Sequence, residues 1–198
     1  MLKARSATLL RPESPWGPLF DEHLHVYPPT NSVEGVSEMN TDPLREHVLD
    51  LLRRTVERRF DQAVADFPAE AINTRPPHLD YTFWGLVEHL RIGQWDIVEY
   101  VLNPKHESPK HPDGYWPPAG READPAAWKR SIDAFHADSK RFAEHVADPR
   151  TDLLAPIPHT SGHTVLREVS LLVGHSAYHL GEFGILRQVM QNWPPGHQ

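Results

Sequence analysis

Proline marks out what this chain can fold into. There are 20 prolines among 198 residues, about twice the usual share. They fall between stretches of helical periodicity and not within them. Proline inside a helix removes a hydrogen bond and clashes with the preceding turn, so its placement here punctuates helices. The chain is long enough to close one hydrophobic core.

Four helices follow from the periodicity. Asp42 before Pro43 is an N-cap with proline at the first helical position, and Leu44, Val48, Leu51, Leu52, Val56 and Phe60 recur at helical spacing. This first helix ends before Pro68. Thr82 caps the second, with Tyr81 and Leu86 placed as a hydrophobic staple. Its stripe is Leu86, Leu90, Gly93, Ile97 and Val101, and it stops before Pro104. Asp124 and Pro125 repeat the Asp-Pro start for the third, whose apolar face is Trp128, Ile132, Phe135, Phe142 and Val146. Thr164 caps the fourth, which runs to about Gln191. No strand pattern and no internal repeat compete. The fold class is all-α: a four-helix bundle of antiparallel type over residues 41–198. Residues 103–123 form a long crossover loop. A connection of that length in a compact domain is often functional, and it is expected to roof the site. Residues 1–40 lack periodicity and read as an extended or disordered arm. Met39 opens MNTDPLREHVLDLL, which has the look of a natural N-terminus, and a start of translation at Met39 is one hypothesis.

Composition excludes several classes. There is no cysteine, hence no disulfide, thiol nucleophile or thiolate metal site. The net charge is −7, and the one basic cluster, Arg53, Arg54, Arg58 and Arg59, reads as a solvated helix face. Nucleic-acid binding is not expected. No apolar run approaches a membrane span, and the N-terminus lacks the apolar core of a secretory signal. A cytoplasmic location is expected.

The segment GHSAYHLGEF places His175 and His179 four residues apart on the fourth helix. Their imidazoles project from one face, one turn apart, and can reach one metal ion. The flanking Leu171, Leu172, Val173, Leu180, Phe183, Ile185 and Leu186 imply a mostly buried stripe, in which imidazoles need partners. Bundles build metal sites from facing helices, so a third ligand belongs on another apolar face. His89, between Leu86 and Leu90, fits. Gly85 and Gly93 lie one turn either side of it, leaving room for a metal and a small ligand or allowing close helix packing. Three histidines leave coordination positions open, as catalytic sites do. Imidazole donors suit several divalent metals, and water in an open position would be acidified. Glu182 shares the face of the pair. It could orient an imidazole, act as general base or ligate directly. Asp96 is a weaker pocket candidate; Trp84 and Trp95 could line the pocket, with core packing the favoured reading. The zincin pattern, the nucleophile elbow, the phosphate loop and the dinucleotide turn are all missing.

Two blocks, HLDYTFWGLVEHLRIGQWDIVEY and REVSLLVGHSAYHLGEFGILRQ, resemble the DinB/YfiT-like family of metal-binding four-helix bundles. The resemblance covers about residues 42–192. It implies a metal site at His89, His175 and His179, a divalent ion that is zinc or nickel first and iron or manganese second, and a homodimer. Family members include metal-dependent hydrolases and thiol-dependent transferases or isomerases using bacillithiol, mycothiol or glutathione. A small-molecule substrate, in some cases with a low-molecular-weight thiol, is the implied partner. Three functions stand open: a metal-dependent hydrolase with Glu182 moving protons, a thiol S-transferase, and a non-catalytic metal-stabilised binding bundle.

Overall fold

The structure, a computed structural model, describes residues 42–196. The readings of residues 1–40 and of Met39 as a start lie outside the described residues. Those described form helices joined by turns and longer irregular connections, with one isolated bridge between Pro156 and Thr164. Helix α1 (Pro43–Leu51) passes through a π-helical segment (Leu52–Glu57) into α2 (Arg58–Val64), and these make one rod. The other rods are α3 (Phe83–Leu102), α4 (Pro125–Ala147) and α5 (Val165–Val189). None of these helices is long and apolar enough to cross a membrane.

All four rods begin at the capping residues that the sequence indicates. Asp42 accepts from the Arg45 amide at 3.1 Å, and Thr82 from Gly85 at 3.0 Å. Asp124 accepts from Ala127 at 2.6 Å, and Thr164 from Arg167 at 3.1 Å. Each cap satisfies an amide that a helix start leaves over, worth about 1 kcal/mol. The π segment has a packing reason. The buried residues Val48, Leu52, Val56 and Phe60 of the first rod recur every fourth position, and Ala63 follows at a step of three. On an α-helix that spacing drifts by about 40° per step. A wider turn takes up the surplus and holds the stripe toward the core.

Side-chain pairings fix the directions of the rods. Arg45 donates to the carbonyls of Val146 and Asp148, and Phe60 stacks on Phe135 at 3.7 Å, so the first rod and α4 are antiparallel. Trp84 pairs with Ser131, Gln94 with Phe135 and Ser139, and Glu99 with Arg141. Both numbers of these pairs rise together, so α3 and α4 run parallel. The bundle is therefore up, down, down, up, not antiparallel at every neighbour. A parallel pair cannot be joined by a tight turn. The chain must return the length of α3, about 30 Å at 1.5 Å per residue, and residues 103–123 make that return. They leave α3 at Leu102 and run back along it: His106 reaches Asp96, Tyr115 reaches His89, and Ala123 reaches Asn73.

Arg187 on α5 is fully buried. It donates to the carbonyls of Ala63 at 2.7 Å and Ala65 at 2.8 Å, and its guanidinium lies 3.8 Å over the Trp193 ring. It thereby satisfies the carbonyls that the end of α2 leaves over. One expectation is corrected. Leu171 and Ile185, which the sequence places in the buried stripe on α5, are 47% and 54% exposed. They lie on the outer arc of the helix, while Leu172 and Phe183 face the core.

Candidate metal centre

Helices α3 and α5 run antiparallel, and this alone brings the three histidines together. His89 Nε2 lies 3.1 Å from His179 Nε2 and 3.1 Å from His175 Nε2. One nitrogen from each ring falls within 4.8 Å of the others. Of the two glycines flanking His89, Gly93 is a close-packing position, not a void, while a Cβ at Gly85 would make ordinary contacts. A Cβ at Gly93 would stand 2.9 Å from His175 Cε1, so the missing side chain is what admits that ring. A Cβ at Gly85 would meet Thr82 Oγ1 at 3.4 Å and Pro117 Cγ at 3.9 Å.

The outer nitrogens of two rings are held. His89 Nδ1 donates to the Tyr115 carbonyl at 3.0 Å, and His179 Nδ1 donates to Glu182 at 2.8 Å. A proton fixed on Nδ1 leaves Nε2 as a bare lone pair, the tautomer a metal ligand needs. Burial lowers the pKa of His89, against the Tyr115 carbonyl that raises it. His175 is pushed down to about 4, first by burial and then by His179 and His89. Its Nδ1 is buried and has no hydrogen-bond partner among the described residues. The Nε2 atoms of His175 and His179 thus both stand beside that of His89, an arrangement that a cation satisfies.

The distances fit a transition-metal ion. Two nitrogens at about 2.05 Å from a tetrahedral ion stand roughly 3.3 Å apart, close to the observed 3.1 Å. Closing the widest separation, 4.8 Å, into the same shell takes about 1.5 Å of approach between the rings. The donor set of three imidazoles suits zinc, nickel, copper or iron and does not choose among them.

Around the rings the crossover loop forms the expected roof on the His89 side. Trp116 stacks on the His89 ring with centroids 4.1 Å apart and planes 8° from parallel. Asp96 does not reach the histidines. It accepts from His106 Nε2 at 2.7 Å and from the Tyr115 hydroxyl at 2.6 Å, so it anchors the loop segment that holds His89. Burial, then Asp96, pushes the Tyr115 hydroxyl up to about 12. Glu182 joins His179 to Tyr81, whose hydroxyl donates to its other oxygen. The Tyr81 ring lies 5.0 Å from Trp116. Trp84 is buried and donates to Ser131; it is core, as its place in the sequence implies. Sequence reasoning misses Tyr81, Tyr115 and Trp116 as site residues. Their partners are remote in sequence, and only the hydrophobic staple assigned to Tyr81 points near the site.

Comparison with known proteins finds one family. The model of the DinB superfamily matches residues 51–183, a span that includes all three histidines and Glu182. No curated protein and no solved structure matches the chain.

Proposed function

Because the chain belongs to the DinB superfamily, we propose that its three histidines hold a divalent transition-metal ion, zinc or nickel foremost, and that the protein is a metal-dependent hydrolase. One observation carries the reading. Three imidazoles converge, the Nε2 atoms of His175 and His179 each 3.1 Å from that of His89, and two of the rings have Nδ1 tied to an acceptor. The ligands would be His89, His175 and His179. A divalent ion held by three imidazoles supplies a Lewis acid that polarises a substrate oxygen and acidifies water.

The chain's own residues do the rest. Tyr115 and Glu182 hold His89 and His179 in the ligating tautomer. Trp116 covers the face of His89 and keeps water from it. Glu182 is partly exposed, with 26% of its side chain accessible, so its carboxylate can exchange a proton with solvent or substrate while the Tyr81 hydroxyl holds its other oxygen. That is the route by which it would move protons for an amide or ester substrate.

A second reading rests on the absence of cysteine. A thiol S-transferase of this fold would take its sulfur from a cosubstrate, which a cation would hold as thiolate.

The test begins with metal content by mass spectrometry on protein purified without a nickel column. About one ion per chain is expected, lost in each of His89→Ala, His175→Ala and His179→Ala. A panel of amide and ester substrates then tests hydrolysis. Thiol binding is read separately as a sulfur-to-metal charge-transfer band on the cobalt-loaded protein. No metal after reconstitution with zinc, nickel, iron and manganese would refute the centre. Metal without turnover of any substrate, and without a thiol band, would leave a metal-stabilised binding bundle.

A further inference from the structure

Four largely buried carboxylates of the bundle are matched by arginines. The side chains of Glu88, Glu99, Asp138 and Glu168 are 16%, 15%, 10% and 2% accessible, and each pairs with Arg91, Arg141 or Arg167. Asp96 takes His106 instead. Glu182 departs from the pattern. It is 26% accessible, and its partners are the His179 ring and the Tyr81 hydroxyl. No arginine or lysine pairs with it among the described residues. A carboxylate has roughly four acceptor sites, so these two contacts leave it able to hold a further donor.

The helix around Glu182 is uncharged. From Ser170 to Val189 it is the only Asp, Glu, Lys or Arg of α5 that reaches the surface, Arg187 being fully buried. Its neighbours one turn away are Tyr178 and Ile185, 72% and 54% exposed. The Tyr81 ring, whose hydroxyl bonds it, lies 5.0 Å from the Trp116 ring, and the Tyr178 ring lies 4.8 Å from the His179 ring. Aromatic rings attract a cation through their faces, and a carboxylate without a cation of its own attracts one through its charge. An apolar rim favours a cation that sheds water at low cost. An alkylammonium group meets all three conditions. The net charge of −7 draws such a cation from a distance.

We propose that Glu182, with Tyr81, Trp116 and Tyr178 around it, binds an alkylammonium group of the substrate while the substrate's carbonyl end reaches the histidines. The substrate class is an ester or amide that carries such a group. The inference deepens the hydrolase reading and rests on it for the carbonyl end alone. His179 keeps the two ends apart: its Nδ1 faces Glu182 at 2.8 Å and its Nε2 faces His89 at 3.1 Å. A divalent ion among the three histidines would repel an ammonium placed against it. The width of one imidazole separates them, and the carboxylate draws the ammonium to the outer side. That width is short enough for one small molecule to reach both.

The test compares choline with its uncharged carbon isostere, in which a tert-butyl group replaces the trimethylammonium. The two share a shape and differ in one charge. Titration calorimetry on the full chain should show choline binding about tenfold more tightly, the sum of a partly exposed ion pair and cation–π contacts. The preference should hold in metal-free and in zinc-loaded protein, because no part of it comes from the ion. Glu182→Gln should abolish it, with helical circular dichroism unchanged. Tyr178→Leu, at an exposed position, should cut it by about threefold. Turnover is read on the matching pair of esters, acetylcholine and the acetate of the isostere, and the charged ester should be hydrolysed faster. Equal affinity for choline and the isostere would overturn the proposal. So would a preference that survives Glu182→Gln, or hydrolysis of both esters at one rate. A Glu182-dependent preference for choline without hydrolysis of either ester would uphold the ammonium site and count against the hydrolase reading.

Discussion

Gly93→Ala should weaken metal binding by about a hundredfold while leaving the fold intact. The added methyl would stand 2.9 Å from His175 Cε1, where carbon atoms rest at about 3.7 Å. The His175 ring must therefore retreat by roughly 0.8 Å, several times the ±0.2 Å that a coordination bond tolerates. Partial loss of one of three ligands exceeds the 10- to 100-fold effect of disturbing a ligand's orientation, so a hundredfold, about 2.7 kcal/mol, is the expected scale. Stability without metal falls by less. Alanine favours the helix by up to about 1 kcal/mol, and the overpacking costs about 1–3 kcal/mol, a net loss of up to about 2 kcal/mol. The assay is a competition titration against a chelating dye, with the visible spectrum of the cobalt-loaded protein reporting ligand geometry and calorimetry reporting the metal-free melting point. Gly184→Ala is the control, since a Cβ there meets nothing within 4 Å. It should bind metal as the wild type does and melt slightly higher. A Gly93→Ala protein with wild-type affinity and an unchanged cobalt spectrum would show that His175 is not a ligand in the place assigned to it.

Two further outcomes follow from the site. The metal-free protein should lose stability as pH falls from 6.5 toward 4. Folding lowers the His175 pKa from 6.5 to about 4, so in that window the unfolded chain binds a proton that the folded chain refuses. Urea midpoints against pH should show the decline, and His175→Gln should flatten it; a wild-type midpoint constant across the window would refute the burial argument. Asp96→Asn should loosen residues 103–123, because it removes the charge that accepts from both His106 and Tyr115. About tenfold weaker metal binding and faster proteolysis within the loop are expected. Proteolysis without any change in affinity would mean that the Tyr115 carbonyl holds His89 without help from Asp96.

Much of the site is legible in the sequence, for a physical reason. A metal ligand pair on one helix is a local pattern. His175 and His179 announce themselves by spacing, and His89 by its place beside an apolar stripe. The parts that hold these imidazoles are not local. Tyr115 offers a backbone carbonyl, which every residue has, and Tyr81 reaches Glu182 across 101 positions. Nothing in the identity of either residue signals that use. Asp96 can be seen to matter but not how, because its partners lie on a loop without periodicity. Leu171 and Ile185 read as core because apolar residues usually are. An outer stripe and an inner stripe on one helix look alike until the neighbouring helices are placed.

Local chemistry is enough to specify the helices: their number, their capped starts at Asp42, Thr82, Asp124 and Thr164, and most of the faces they bury. Capping and periodicity act within a few residues, so the order of residues decides them. It also sets the donors of the centre, because a chain without cysteine that pairs histidines at one-turn spacing has few other ligands to offer. The parallel run of α3 and α4 is a different matter and belongs to the packing of whole faces. There many weak contacts are summed over the length of two helices, and no single residue votes. Its consequence is the return of residues 103–123 along α3, which lays Tyr115 and Trp116 on His89 and supports the three-histidine cluster.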